Sequence, residues 1–498
     1  MATVTPQPIS TGRWSEAGLL LLAVALGVSG YLLVGVNIEG AVPSELLPMA
    51  GTLAGIALVA HLVLRWRAPY ADPVLLPLAL GLNGVGLAMI YRIDYATGDA
   101  AGPRQLIWTA LGAALAVTIV IALRDHRQLR RFTYTSLVVS LLLLLLPMIP
   151  GLGQEINGAQ LWIRIAGFSF QPAEIAKITL AIFFAGHLVA HRDVLTLAGP
   201  KILGLQLPRV GDMGPILLAW VASVAVLVFQ RDLGTSLLFF GLFVAMLYVA
   251  TDRFSWIVIG LGMFAVGVLV AVNTFGHVAA RFDVWLNALD PAVYNRHPGG
   301  SGQVVQGLFG LASGGLMGTG WGEGYPDLVP YSNSDFIIAS LGEELGLTGL
   351  LAILLCYLVL VQRALRTSIG VRDGFGKLLA SGLGFAIAFQ CFVVVGGVTR
   401  LIPLTGLTMP FLAAGGSAMI ANWIVLGLLL RISDGARRPA AVDREVSDET
   451  VLSMMPVAGT GAGDVDSSAG APRGGRARAP GDGADDGDDH PTEVVQRP

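Results

Sequence analysis

Long apolar runs separated by short polar stretches follow one another along most of the chain. A helix needs about 20 largely apolar residues to cross a bilayer. Runs of this kind recur, and the predicted spans are 17–36, 45–64, 73–91, 105–123, 132–150, 173–191, 214–230, 233–251, 255–275, 335–362, 377–399 and 408–431. The pattern therefore predicts an all-α polytopic membrane protein with about twelve transmembrane helices.

Composition agrees with a protein whose main solvent is lipid. Of its 498 residues, 54% are hydrophobic and 13% are charged, whereas soluble domains carry roughly 25% charged residues. Both cysteines, Cys356 and Cys391, lie in apolar runs, so neither a disulfide framework nor a cysteine zinc site is predicted. The first apolar run lacks a small-residue cleavage pattern and is expected to be retained as a span.

Basic residues are concentrated in alternate loops, most clearly at 124–131 and 363–377. Loops rich in Lys and Arg face the cytoplasm in most membrane proteins. The pattern therefore predicts a protein of the cytoplasmic (inner) membrane with both termini in the cytoplasm, beginning with a cytoplasmic segment at 1–16. Residues 434–498 are rich in Gly, Ala, Asp and Pro, and such a composition predicts a disordered cytoplasmic tail.

Two polar regions fall on the predicted outer side. The stretch NGAQLWIRIAGFSFQPAEIAK, residues 157–177, interrupts the apolar pattern between the fifth and sixth spans. The loop 277–334 is far longer than the others, and loops of that length without secondary structure usually have a function. Within it, GLFGLASGGLMGTGWGEG is spaced like an interfacial or re-entrant segment. Both regions are expected to contribute to a site.

Ionisable groups inside or at the ends of spans are costly unless they are paired or hydrated, so each one is a site hypothesis. Together they supply acids for proton transfer and cations for an anionic group, which favours a lipid substrate with a phosphate head. The alternative is that the charges form ion pairs that hold the bundle together. The candidate substrate-binding residues are Asn157, Trp162, Arg164, Glu174, Lys177, Arg231, Asp232, Arg281, Gln303, Ser334, Asp335, Glu343, Glu344 and Arg400.

Four sequence blocks in a fixed order resemble the SEDS family (shape, elongation, division, sporulation), to which RodA and FtsW belong. They are NGAQLWIRIAGFSFQPAEIAKI, RDLGTS, SNSDFIIASLGEELGLTG and IPLTGLTMPFLAAGGS. The likeness covers roughly residues 73–433, and the family usually has ten spans. It therefore implies a ten-helix core at 73–433 that follows an additional N-terminal transmembrane hairpin at 17–72.

The resemblance implies peptidoglycan polymerisation: lipid II units are joined at the outer face of the membrane, and undecaprenyl pyrophosphate is released. The segment RFDVWLNALDP places Asp290 on the family's essential aspartate, with one residue fewer before it, and Asp283 is the fallback. The next stretch departs from the family pattern, since it is longer and lacks the usual Tyr. The family's Asn in the eleventh span is replaced by Val394, and Ala173 replaces the usual Ser.

For the mechanism, we expect Asp290 to act as the base, with its pKa raised by a partly dehydrated pocket. The candidates for binding pyrophosphate are Lys177, oriented by Glu174, and Arg164, Arg231 and Arg400. The sequence identifies no cofactor, although a divalent cation (Mg or Mn) could share the charge.

The expected partners are lipid II, a class B penicillin-binding protein, other elongation or division complex proteins and membrane lipid, with no nucleic acid. The elongation (RodA-like) role is favoured over a division-specific (FtsW-like) role. A lipid II flippase and a non-catalytic scaffold for cell-wall enzymes are alternatives. A flippase needs an alternating-access pathway, whereas a polymerase needs a base on one side of the membrane only.

Overall fold

The structure is a computed structural model, and it describes residues 13–156, 159–165, 167–196, 201–202, 205–206, 221, 224–225, 228, 230–297 and 299–439. Within these residues the α-helices are α1 (Trp14–Glu39), α2 (Leu46–Arg67), α3 (Leu75–Thr97), α4 (Ala101–Ala122), α5 (Thr133–Leu145), α6 (Ala173–Ala190), α7 (Arg192–Thr196), α8 (Leu233–Thr251), α9 (Ser255–Thr274), α10 (Gly276–Leu286), α11 (Pro291–Tyr294), α12 (Gly302–Gly314), α13 (Ile337–Gly370), α14 (Gly374–Val398) and α15 (Gly416–Arg437). Short 3₁₀ helices lie at His126–Phe132, Leu146–Met148 and Pro326–Leu328.

Eleven helical segments in the described part of the chain are long and apolar enough to cross a membrane. They coincide with eleven of the twelve predicted spans, so the prediction of an all-α polytopic membrane protein is confirmed. The remaining prediction, the seventh span at 214–230, falls almost entirely outside the described residues. The last helix, α15, runs to Arg437, four residues beyond the predicted end of the core.

Two spans differ from prediction because the backbone leaves the helical conformation. The predicted tenth span, 335–362, is α13, which is interrupted at Gly346 by a left-handed φ of 68°. The predicted twelfth span, 408–431, begins only at Gly416, because residues 401–415 are not helical. The proline carbonyl of Pro410 accepts a hydrogen bond from the Tyr357 hydroxyl, so a neighbouring helix satisfies this irregular backbone within the bundle.

The stretch between α5 and α6 forms a small antiparallel sheet that helical periodicity did not predict. Strands β1 (Gly153–Ile156), β2 (Ala159–Ile165) and β3 (Phe168–Phe170) pair in that order. In this register Trp162 lies opposite Gln154, and Arg164 lies opposite Ser169. A second pair of short strands, β4 (Lys201–Ile202) and β5 (Leu205–Gln206), follows α7.

Small residues allow the helix backbones of the bundle to pack in close contact. A Cβ atom added to Gly27 of α1 would lie 2.8 Å from the Cα of Gly84 in α3. A Cβ added to Gly427 of α15 would lie 3.0 Å from the Cα of Ala116 in α4. Close approach through small residues is a usual basis of helix association in membranes, where no hydrophobic effect separates helix from lipid.

The two ends of the bundle carry different polar networks. At one end, Asp72 pairs with Arg437 and Arg363, and the carboxylate of Asp373 accepts from His126 Nε2 at 2.7 Å. The opposite end is formed by the described residues of the ranges 149–172, 276–336 and 399–415, and we call it the loop end. The candidate site residues in the described part of the chain lie at the loop end or in the helix turns next to it.

Candidate functional site

The centre of the loop end is a buried ion pair at the start of α6. Lys177 Nζ lies 2.6 Å from Glu174 Oε2, and both side chains are less than a tenth exposed. Lys177 also donates to Gln390 Oε1 at 3.0 Å and to Asn422 Oδ1 at 3.4 Å. The predicted pairing of Glu174 with Lys177 is confirmed, and every donor direction of the ammonium group is occupied by a protein oxygen.

Gln390 and Asn422 are buried residues of this network that sequence reasoning did not identify. Gln390, on α14, uses its amide nitrogen to donate to the carbonyl oxygen of Thr408 at 2.8 Å. It therefore joins Lys177 to the irregular segment before α15. Gln390 lies one helical turn before Val394, on the same face of α14. A lone amide inside an apolar span was the signal that could have revealed it.

Asp232 is a buried carboxylate that caps α8. Its Oδ1 accepts from the Thr235 backbone N–H at 3.0 Å, and its Oδ2 accepts from the Thr235 hydroxyl at 2.5 Å. Burial raises the pKa of Asp232, while the Thr235 hydrogen bonds and the charge of Arg281 oppose the shift. This carboxylate is a fixed part of the helix start, and it lies near Arg281 and Glu174.

Two arginines fasten α10 to the segment before α15. Arg281 Nη1 donates to the carbonyl oxygens of Leu404 at 3.2 Å and Thr405 at 3.0 Å. Arg400 Nε donates to the carbonyl oxygen of Trp285 at 2.7 Å, and the Trp285 indole donates back to the Arg400 carbonyl at 3.1 Å. These contacts give both arginines a structural task at the loop end.

Asp335 lies two residues before the start of α13. Its Oδ1 accepts from the Ser334 hydroxyl at 3.1 Å. Burial raises the pKa of Asp335 to about 6, although Ser334 and the positive charge of Arg281 act in the opposite direction. Burial also lowers the pKa of Arg281, and Asp232 and Asp335 oppose that shift. The charge of Arg281 therefore interacts with the carboxyl groups of both Asp232 and Asp335.

Asp290 lies at the loop end, as predicted, but its side chain is exposed. It caps the short helix α11, where its Oδ1 accepts from the Ala292 backbone N–H at 2.9 Å. The expected partly dehydrated pocket around Asp290 is therefore absent from the described residues of this structure. The physical reason is its position at the start of a surface turn, with Leu289 beside it also exposed.

Asp283, the fallback aspartate, is already paired. It lies 2.7 Å from Arg296 Nη1, and it accepts from the Asn287 side-chain amide at 2.8 Å. Hydrogen bonds from Asn287 and Arg296 lower the pKa of Asp283. A carboxylate held in its charged form by two donors is a weaker proton acceptor, so the geometry favours Asp290 over Asp283 as a base.

Glu343 and Glu344 bind the outer loop back onto α13. Glu344 Oε1 accepts from Arg92 Nε at 2.8 Å, and its Oε2 accepts from the Gly322 backbone N–H at 3.0 Å. Glu343 Oε1 accepts from the Tyr325 backbone N–H at 3.2 Å. Sequence reasoning missed Arg92, a buried arginine near the end of α3. Together these contacts hold the outer loop against α13 and give Glu343 and Glu344 a structural role.

The remaining candidates lie around this centre. Arg164 is exposed on β2, next to the half-buried Trp162. Arg231 is exposed and has a left-handed φ of 63° just before α8. Gln303 donates to the carbonyl oxygen of Pro330 at 3.1 Å. Asn157 lies outside the described residues.

Fold and site together define a polytopic membrane protein with acids and bases gathered at one end of the bundle. The family model for the cell cycle proteins FtsW, RodA and SpoVE matches residues 73–438. The chain belongs to this family.

Individual relatives give the same result. The chain is 49% identical over 444 residues to the Mycobacterium tuberculosis protein named peptidoglycan glycosyltransferase RodA, covering 88% of this chain and 93% of the relative. The Mycobacterium leprae protein of the same name is 47% identical, covering 88% and 94%. A Trichlorobacter lovleyi protein named probable peptidoglycan glycosyltransferase FtsW is 33% identical, covering 75% and 95%.

Solved structures share the fold. A chain from a peptidoglycan synthase complex, described as coordinating polymerization and crosslinking, matches with a TM-score of 0.58 and 25% identity, covering 74% of this chain and 99% of that chain. The Thermus thermophilus rod shape determining protein RodA matches with a TM-score of 0.51 and 24% identity, covering 74% and 98%.

Proposed function

We propose that this chain is a peptidoglycan glycosyltransferase that joins lipid II units into glycan strands. The observation that carries the proposal is the 49% identity, over 88% of the chain, to proteins named peptidoglycan glycosyltransferase RodA. The loop end adds physical support, since it gathers the carboxylates Asp232, Asp335 and Asp290 with basic side chains beside a membrane-spanning bundle. That combination suits a substrate with an anionic head and an apolar tail.

In the proposed reaction, Asp290 takes the proton from the acceptor sugar hydroxyl as the hydroxyl oxygen attacks the donor anomeric carbon. The new glycosidic bond forms, the bond from that carbon to the phosphate oxygen breaks, and undecaprenyl pyrophosphate leaves with the bonding electron pair. An exposed carboxylate can accept this proton once the lipid head has covered it, because bound substrate excludes water. Its cap on α11 holds the carboxylate in place before substrate arrives.

The pyrophosphate needs cations. Arg164 is exposed and can approach a lipid head, and Arg is favoured for forked contact with phosphate oxygens. Lys177 and Arg400 are held by protein oxygens, so we assign them a positioning role. Among the described residues, no group of three His, Cys, Asp or Glu side chains could hold a metal ion.

The proposed site faces the outside of the cytoplasmic membrane. In that orientation the arginine-rich loops near 124–131 and 363–377 face the cytoplasm, as the positive-inside rule requires. Both termini are then cytoplasmic. A relative of known structure belongs to a complex of polymerization and crosslinking, which supports a class B penicillin-binding protein as the partner. The higher identity to RodA than to FtsW proteins supports a role in elongation.

Polymerisation by the purified protein tests this proposal. The full chain in detergent micelles is given lipid II, with and without a cognate class B penicillin-binding protein, and the products are separated by length. Micelles have neither a gradient nor a second leaflet, so glycan strands formed there come from glycosyl transfer and not from transport. Absence of strands in both reactions would refute the proposed activity, and the flippase alternative would then be tested in vesicles.

A further inference from the structure

The N-terminal hairpin α1–α2 lies outside the family match, which begins at residue 73, yet it contacts the loop end at a defined place. Asn37, near the end of α1, donates its side-chain amide to the carbonyl oxygen of Trp321 at 2.7 Å. Trp321 belongs to Thr319–Tyr325, which we call the 319–325 segment. The indole of Trp321 packs against α1, where a Cβ added to Gly30 would lie 3.3 Å from the ring.

Helix α1 of the hairpin is long enough to reach the 319–325 segment and is held in place by α3. Helix α1 has 26 residues and is therefore about 39 Å long at 1.5 Å per residue, whereas the hydrocarbon core is about 30 Å thick. Its last turns extend beyond the apolar layer, where an amide can bind a loop carbonyl. Below them, Gly27 packs directly on Gly84, and the Tyr31 ring stacks on Tyr91 at 4.1 Å. Asn37 is thus attached to α3 through a rigid contact.

Three helices converge on the 319–325 segment. Helix α1 binds the Trp321 carbonyl through Asn37. Helix α3 binds the Gly324 carbonyl through Arg92 Nη2 at 2.5 Å. Helix α13 accepts the Gly322 backbone N–H on Glu344 at 3.0 Å. The contact from α1 is the one that comes from outside the family core.

The 319–325 segment is connected to Asp290 through helix α12. Residues 315–318 join the segment to the end of α12, and at the start of α12 the Ser301 hydroxyl donates to the Ala288 carbonyl at 2.5 Å, two residues before Asp290. Helix α12 packs tightly against the start of α13, because a Cβ added to Gly307 would lie 2.6 Å from the Phe336 ring. Helix α12 therefore connects the 319–325 segment to the residues next to Asp290.

We propose that the N-terminal hairpin is a brace for the outer loop, with Asn37 as a positioning residue and Trp321 as its contact. The brace fixes the 319–325 segment, and through α12 it keeps Asp290 aligned with the bound acceptor sugar. This role rests on the proposed function, which it deepens by naming a part of the molecule that sets the rate at the same site.

The kinetics of variants at Asn37, with a variant at Asn273 as control, test whether the brace affects the reaction. Asn37→Leu removes the amide donor, and Asn37→Asp removes it without a change of shape. Both should lower kcat for lipid II polymerisation by about fivefold, the size expected from one lost hydrogen bond, with KM within about twofold because the lipid contacts remain. Asn273→Leu is the control, since Asn273 is exposed and, among the described residues, donates to Leu269 of its own helix. It should retain the parent rate.

Mobility of the 319–325 segment tests the brace independently of activity. In a full-length Cys356→Ala, Cys391→Ala background, a nitroxide is attached at Glu323→Cys, an exposed position in the segment. The electron paramagnetic resonance line should be broad with the native brace and narrower in Asn37→Leu. Trp321→Ala, which removes the ring contact with Gly30, should narrow the line further. Asn273→Leu should leave it unchanged.

The two readouts separate the possible failures. An unchanged line in both Asn37→Leu and Trp321→Ala would overturn the brace itself. A narrower line with an unaltered kcat would overturn its link to Asp290. If the parent protein makes no glycan, the proposed function fails with the kinetic part, and the line shape alone decides whether the hairpin holds the segment.

Discussion

Lys177 is a buried cation whose three protein partners lie on three different helices. Glu174 is on α6 with it, Gln390 is on α14 and Asn422 is on α15. A charge of this kind costs several kcal/mol to bury and is stabilised only by its partners. The cluster therefore fixes how these helices meet at the loop end.

Replacement of one partner of the Glu174–Lys177 pair should destabilise the protein more than replacement of both partners. Lys177→Met leaves the Glu174 carboxylate buried without its counter-ion and should lower the free energy of unfolding by about 3–5 kcal/mol. The double variant Glu174→Gln, Lys177→Met should recover most of that loss. Thermal unfolding of the purified proteins in detergent measures both. Equal destabilisation by the single and the double variant would contradict a stabilising interaction between Glu174 and Lys177.

Asp335 should make stability depend on pH. Its pKa in the folded protein is raised to about 6, above the value of about 4 for an unfolded chain, so the folded state binds more protons between these values. The contribution of Asp335 to stability therefore falls as pH rises from about 4 to 6. Asp335→Asn should show a gain in melting temperature over wild type that grows across this range and then stays constant. A gain independent of pH would contradict the assignment.

At the scale of elements, backbone contact between α1 and α3 predicts opposite effects for two glycine substitutions. A Cβ added to Gly84 would lie 2.9 Å from the Cα of Gly27, whereas Gly55 in α2 has open space around it. Gly55→Ala should stabilise the protein by about 0.5–1 kcal/mol through helix propensity. Gly84→Ala should destabilise it, because the helices must separate. The melting temperatures of the two variants test these predictions. A higher melting temperature for Gly84→Ala would contradict the close contact between α1 and α3.

The end of the bundle opposite the loop end is fastened by Asp373, which joins the start of α14 to the 3₁₀ helix after α4. Burial acts to raise the pKa of Asp373, but hydrogen bonds from His126 and the Gly376 N–H, together with Arg127, lower it below its usual value. A lowered carboxylate pKa contributes stability that is present above the unfolded value of about 4 and is lost as pH falls through the folded value.

Asp373→Asn should therefore destabilise the protein at neutral pH by about 1–3 kcal/mol, and the difference from wild type should shrink toward low pH. Asp99→Asn, at an exposed position, serves as the control and should match wild type throughout. Denaturation in detergent across pH 3–7 measures the three proteins. A constant difference between Asp373→Asn and wild type over that range would contradict the role of the charge.

For the whole molecule, the sequence was sufficient wherever one local pattern decides the structure. Length and apolarity located the spans, and three-residue spacing placed Glu174 beside Lys177. The sequence was insufficient where distant segments decide. Gln390, Asn422 and Arg92 gain their partners only when helices far apart in the chain meet, as Arg92 does with Glu344.

The same limit applies to the environment of Asp290. Motif spacing indicated its identity and the end of the bundle that it occupies. Its exposure depends on how α10, α11 and the start of α12 fold together, which no spacing records. The small sheet β1–β3 was missed for a similar reason, since seven alternating residues in β2 are easily hidden among longer apolar runs.

The most direct test of the central claim compares two aspartates of the same outer loop. Asp290→Asn keeps the helix cap, because Asn caps helices as well as Asp does, but removes the basic carboxylate. Asp327→Asn changes an exposed aspartate that has no assigned role. With purified protein and lipid II, Asp290→Asn should lose at least about 100-fold in polymerisation rate, while Asp327→Asn should retain the parent rate. Parent-level glycan synthesis by a folded Asp290→Asn protein would contradict the role of Asp290 as the base.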